Sequence, residues 1–145
     1  MMEGVLAILA IVALGVLWTR LASSVLAFEG DYRFEGEFPG KLHECVFNPS
    51  YGEGGYLCWM GANGSHLFLL SHADGEGSLF GLPFEQRGFD KNLSIPWRAI
   101  SFRPRRFFFK DCMWFELPAI RVGFYLPRDI AEKVLADAGR RSPYR

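Results

Sequence analysis

The raw material for chemistry in this 145-residue chain is three histidines, three cysteines and sixteen acidic side chains. Metal binding needs ligands spaced so that they converge. His43 and Cys45, two apart, would share one face of a strand. His66, His72 and Asp74 follow later, but no second closely spaced pair joins them, and Cys45, Cys58 and Cys112 form no C-x-x-C. A metal-dependent enzyme built from His43, Cys45, His66 and Asp74 is therefore the weaker alternative. No G-x-S-x-G elbow is present. The glycine cluster from Tyr51 to Gly55 lacks the Lys-Ser/Thr of a phosphate loop, so a plain turn is expected there. Asp74 and Glu76 alternate with Gly75 and Gly77, as solvated turn carboxylates do. The expectation is a chain with no catalytic residue, no bound metal and no cofactor.

The stronger signal is cationic. Arg98, Arg103, Arg105, Arg106 and Lys110 interleave with Trp97 and Phe107 to Phe109. Such a stretch can lie on anionic headgroups, each near-surface basic residue adding about 1 kcal/mol. It can equally meet an acidic protein partner. The plainer reading is a solvated strand face whose aromatics are core. Sixteen basic residues balance sixteen acidic ones, so a chain that seeks nucleic acid is not expected.

Those residues must be held by strands. Leu42 to Phe47 alternates as a first strand, and a glycine-containing connector precedes it, with Tyr32, Phe34 and Phe38 free to dock on the domain or graze a bilayer. Tyr56 to Met60 and His66 to Ser71 flank Ala62-Asn63-Gly64-Ser65, where Asn-Gly supplies positive φ angles for a hairpin. Asp74 to Gly77 is a further turn, Ser78 to Phe84 a short strand, and Gln86 to Asn92 a loop. Ile100 to Phe109 reads as a long strand with Pro104 at an edge or bulge, turned by Lys110-Asp111 into Cys112 to Leu117. Ile120 to Leu126 is the last strand. Pro127 and Asp129 then open a helix with Ile130, Val134 and Leu135 on one stripe and Gly139 as its stop, followed by a frayed tail. The three cysteines are expected as small apolar residues packed in strands.

The N-terminal run constrains the whole. Val5 to Trp18 carries no charge, and Leu21 to Phe28 is apolar apart from two serines. About fourteen residues give roughly 21 Å of helix, against about 30 Å of hydrocarbon. Continuing to Leu21 and beyond closes the gap, with Trp18 at the interface and Arg20 snorkelling. A lipid-embedded anchor over residues 4–28 is expected, and Arg20, Arg33 and Lys41 after it place the C-terminal domain on the cytoplasmic side of an inner membrane. The rival is a cleaved secretory signal ending near Val25-Leu26-Ala27, although no basic residue precedes the apolar run. The division is an anchor over 1–28, a connector over 29–41, one β-domain over 42–139 and a tail over 140–145.

Leu93-Ser94-Ile95-Pro96-Trp97-Arg98-Ala99-Ile100 brackets a Pro-Trp corner with apolar anchors, which would pin Trp97 against the sheet. Together with Leu79 to Phe84, the paired strands and the Leu-Pro helix start, it resembles small bacterial membrane-anchored proteins with a PH-like or GRAM-like β-domain. That resemblance implies a transmembrane helix followed by a mainly-β (α+β) bent sheet or partial barrel with a C-terminal capping helix. It implies no activity and no phosphoinositide signature. The expected function is a tethered, non-enzymatic binding module contacting anionic lipid or a protein through Trp97, Arg98, Arg103, Arg105, Arg106 and Lys110. An accessory subunit packing Gly4, Ala7 and Gly15 against a larger membrane complex is the alternative.

Overall fold

The computed structural model describes residues 2–14, 32–49, 55–79 and 81–144. Among the described residues nine strands and two helices follow one another: α1, described over residues 2–14, then β1 (His43–Pro49), β2 (Tyr56–Ala62), β3 (His66–Leu70), β4 (Gly75–Leu79), β5 (Leu82–Gln86), β6 (Leu93–Pro96), β7 (Ser101–Phe107), β8 (Lys110–Leu117), β9 (Val122–Pro127) and α2 (Arg128–Asp137). Seven strands form one antiparallel sheet in the order β6-β3-β2-β1-β9-β8-β7.

That order forces the sheet to curl. β6 and β7 are its two edges, yet only residues 97–100 separate them in sequence. Six inter-strand spacings would put the edges of a flat sheet roughly 29 Å apart. The five steps from Pro96 to Ser101 span at most about 17 Å. The sheet therefore bends into a half-barrel. Among the described residues two register pairs, Asn48 with Tyr125 and Pro49 with Phe124, join β1 to β9 at the seam between the two halves of the sheet. Helix α2 packs across it against β1, β2, β8 and β9.

Period-two alternation fills the inside. Cys45 and Phe47 from β1, Cys58 and Met60 from β2, Leu67 and Leu69 from β3, and Leu93 and Ile95 from β6 are buried on one face. Met113, Phe115 and Leu117 of β8 and Val122, Phe124 and Leu126 of β9 complete it. Ala131, Val134 and Leu135 seat α2 on that core, and Gly139 ends the helix region with φ of 69°. His43 Nε2 meets Asp137 Oδ2 at 2.7 Å, tying β1 to the last turn of α2.

Several expectations change. The transmembrane helix is corrected: among the described residues no helix is long and apolar enough to cross a membrane. The assignment as a single-pass membrane protein rested on that helix and falls with it. Gly15, Trp18, Arg20 and Val25 to Ala27 lie outside the described residues, as does most of the Tyr51 to Gly55 cluster. Ser78 to Phe84 is not one strand. Its residues fold with the supposed Asp74 to Gly77 turn into a separate two-stranded hairpin, β4–β5, with Gly81 at φ 78° near its tip. The β2–β3 turn uses no positive φ at Asn63 or Gly64. Instead Asn63 Oδ1 accepts hydrogen bonds from the Ser65 and His66 amides at 2.9 and 2.8 Å.

The connector docks rather than dangles. Phe34 meets Phe68 edge-on and Phe38 lies tilted against it, with ring centroids 5.2 and 4.5 Å apart, and Gly61 leaves the space that Phe38 fills. The C-terminal tail is also held. Tyr144 Oη donates to the Cys112 carbonyl, and the Arg128 guanidinium lies 4.1 Å from the Tyr144 ring centroid.

Candidate docking hairpin

Alternation along β7 and β8 sorts the basic stretch onto two faces. Phe102, Pro104 and Arg106 pair with Phe115, Met113 and Asp111, while Arg103, Arg105 and Phe107 pair with Trp114, Cys112 and Lys110. On the second face Tyr125 of β9 stacks against Phe107 at 4.5 Å and Trp114 at 4.6 Å. Gly123 gives the Trp114 ring room to lie flat, since a Cβ there would overlap it. The Arg105 guanidinium sits 5.4 Å from the Trp114 ring and 5.8 Å from Tyr125, a cation over an aromatic ladder. Arg103, Arg105, Arg106 and Lys110 are all exposed. Arg106 reaches Asp111 at 3.6 Å between two solvated side chains, a contact worth little.

The turn between these strands departs from the expected one. Lys110 and Asp111 belong to β8, and the loop is Phe108-Phe109, with φ of 46° and 66°. Positive φ at both positions defines a type I′ turn, which normally takes Asn-Gly. Phe108 is 79% exposed and Phe109 95%. The sequence pattern places both rings at the end of a strand. A usable signal was present: three consecutive phenylalanines cannot all face the core of one strand. Beneath the tip lies an open hollow of about 730 Å³ bordered by Phe107, Phe108, Lys110, Tyr125, Arg128 and Glu132.

Two of the expected contact residues lie elsewhere. Trp97 is 3% exposed, in a 3-10 turn (Trp97–Ala99), and its indole N–H donates to the Asn63 carbonyl at 2.9 Å. Phe102 and the Arg140 guanidinium pack against its ring. Its surface is spent on the fold. Arg98 is exposed on the same turn, but the seven residues of β7, about 23 Å of strand, separate it from the tip.

The metal candidates do not converge. His43 meets Asp137, and Cys45 Sγ lies 3.7 Å from Cys58 Sγ. His66 Nδ1 contacts Ser65 Oγ, and Asp74 Oδ1 accepts from the Gly88 amide. Among the described residues no group of three or more His, Cys, Asp or Glu could hold an ion. All three cysteines are free and buried. Hydrogen bonding from Cys45 and burial push the Cys58 thiol far up, and burial raises Cys112, so neither offers a reactive thiolate.

His72 carries the resolved histidine shift. Its Nε2 lies 2.9 Å from Glu44 Oε2 and its Nδ1 2.6 Å from the Ala73 carbonyl, with the ring stacked on Trp59. Glu44 first, and then that carbonyl, raise its pKa above the ordinary value. The folded state therefore holds this proton more tightly than the unfolded chain. The stabilisation is full below the unfolded pKa of about 6.5 and is lost as pH rises through the folded one. Thermal melts of wild type and Glu44→Gln should differ most at pH 5–6 and converge towards pH 8. A gap that does not change with pH would mean the pair contributes no linked proton.

No protein family, curated protein or solved structure matches the chain, and nothing identifies it with the PH-like or GRAM-like proteins that its Leu93–Ile100 segment resembles.

Proposed function

We propose that this chain is a binding module rather than an enzyme, and that the β7–β8 hairpin docks it on an anionic lipid surface. One observation carries the reading. Arg103, Arg105 and Lys110 project from one face of a hairpin that is seated on the core through Phe102, Met113 and Phe115 on the other. Phe107, Tyr125 and Trp114 interlock there, and Arg105 is held over their rings. Low ordering cost on binding follows. Three near-surface charges at about 1 kcal/mol each give roughly a hundredfold preference for an anionic over a neutral surface.

The test is flotation of the full chain with neutral phosphatidylcholine vesicles and with vesicles containing phosphatidylserine. Any contribution from α1 is common to both. The Arg103→Gln/Arg105→Gln/Lys110→Gln variant should lose roughly a hundredfold of its binding to the anionic vesicles and none of its binding to the neutral ones. Equal binding of the wild type to both vesicle types would overturn the lipid reading in favour of an acidic protein partner.

A second reading has its own observation. The large apolar side chains of α1, from Met2 to Leu14, are 55–81% exposed. A surface of that kind is normally covered. An accessory subunit would cover it against a larger protein, and stoichiometric copurification in mild detergent, lost on Leu6→Glu/Leu9→Glu, is its signature.

A further inference from the structure

We infer that the Phe108-Phe109 turn is a membrane wedge, which drives two phenyl rings below the headgroups while the flanking cations hold the phosphates. The inference rests on the lipid reading of the hairpin and adds a depth and an apolar component to it. Three observations converge on this one turn. The backbone is left-handed at two successive residues, where an L side chain other than Asn or Asp is disfavoured. Both positions hold phenylalanine, and both rings stand in water, 79% and 95% exposed. The Phe108 ring is also held rather than limp. Phe107 is clamped on Tyr125 at 4.5 Å, and the Phe108 ring meets Phe107 edge-on at 4.6 Å.

The fold gains nothing from this arrangement. An Asn-Gly turn would close the same hairpin with less strain and no exposed apolar surface. What matches it is a target that is apolar in depth and anionic above. Arg105 and Arg106 precede the tip and Lys110 follows it, so three cations against the one carboxylate of Asp111 collar the two rings on both strands. A bilayer interface has that layering, with phosphates over acyl chains, and an aromatic ring placed beside basic side chains anchors there. A convex tip of this kind has the wrong shape to receive a small ligand or a peptide.

The decisive variant is Phe108→Asn/Phe109→Gly, because it cannot lose binding by unfolding. Relief of the left-handed strain should raise its melting temperature by about 5 °C. Its binding to phosphatidylserine-containing vesicles should nevertheless fall about thirtyfold, the equivalent of partly burying two phenyl rings. A second measurement reads depth directly. Phe109→Cys carrying an environment-sensitive fluorophore can be labelled selectively, since the three native thiols are buried. Its emission should shift to the blue on anionic vesicles and be quenched by lipids brominated on the acyl chain. If the wild type prefers anionic vesicles but the Asn-Gly variant binds as tightly and the label stays unquenched, the wedge is wrong and the electrostatic docking stands. If the wild type shows no preference for anionic vesicles, the docking reading fails and the wedge with it.

Discussion

Trp97→Ala should cost the fold about 3–5 kcal/mol, enough to unfold a large part of the population at 37 °C. The reasoning starts from connectivity. The 3-10 turn Trp97–Ala99 is the one place where the chain passes directly between the two edges of the sheet, from β6 to β7. Pro96 enters it at φ −65°, fixed by its ring, and Ile100 leaves it extended. Between them the indole is 3% exposed, with its N–H on the Asn63 carbonyl and its backbone amide on the Ser65 carbonyl. Two hydrogen bonds thus fasten the edge-to-edge joint to the β2–β3 turn, while Phe102 and Arg140 close over the ring. Truncation leaves a cavity at the joint and a free Asn63 carbonyl. Urea midpoints decide the matter. A Trp97→Ala chain that keeps its midpoint but loses vesicle binding would mean that Trp97 is a contact residue after all, against its burial.

Much of the body was readable because burial writes a period into sequence. Alternation at Cys45 and Phe47, at Met113, Phe115 and Leu117, and at Val122, Phe124 and Leu126 follows the pleat, and Ala131, Val134 and Leu135 follow the helix. The Pro96-Trp97 corner was readable for the same reason, since a large ring beside a proline has few places to go. Failures occur where side-chain chemistry and backbone demand disagree. Phe108 and Phe109 lack any turn signature, whereas Lys110-Asp111 has one, so the turn was expected two residues late. Gly75 and Gly77 look like turn residues but sit in β4, where Gly77 makes room for the Phe84 ring of β5. The run from Val5 to Trp18 marks the reach of hydropathy: it reports that a segment dislikes water and carries no information on the length of helix. Tyr144 escaped notice because a single hydrogen bond and one cation leave no periodic trace.

Gly88→Ala should be as damaging as loss of a core aromatic, although only one methyl group is added. After β5 the chain returns to the sheet along a narrow slot. The Arg87 carbonyl accepts from the Leu57 amide at 2.9 Å, the Phe89 amide donates to the Leu57 carbonyl at 2.8 Å, and the Phe89 carbonyl accepts from the His72 amide at 2.9 Å. Asp74 Oδ1 takes the Gly88 amide itself at 2.7 Å. Every neighbour of Gly88 is therefore backbone or anchored to it. A Cβ there would overlap the His72 carbonyl oxygen and lie 2.7 and 2.8 Å from the carbonyl carbon and oxygen of Ala73. No side chain can rotate away to relieve that overlap. The segment must lift, and lifting breaks hydrogen bonds worth about 1 kcal/mol each and draws the 4%-exposed Phe89 ring out of the core. Strain of about 1–3 kcal/mol adds to them, for a total of about 3–5 kcal/mol. Hydrogen exchange resolves this from a global effect: protection at Leu57, His72 and Phe89 should fall first in Gly88→Ala, ahead of β8 and β9. Unchanged protection at those three amides would mean that the slot is wider than the geometry shows.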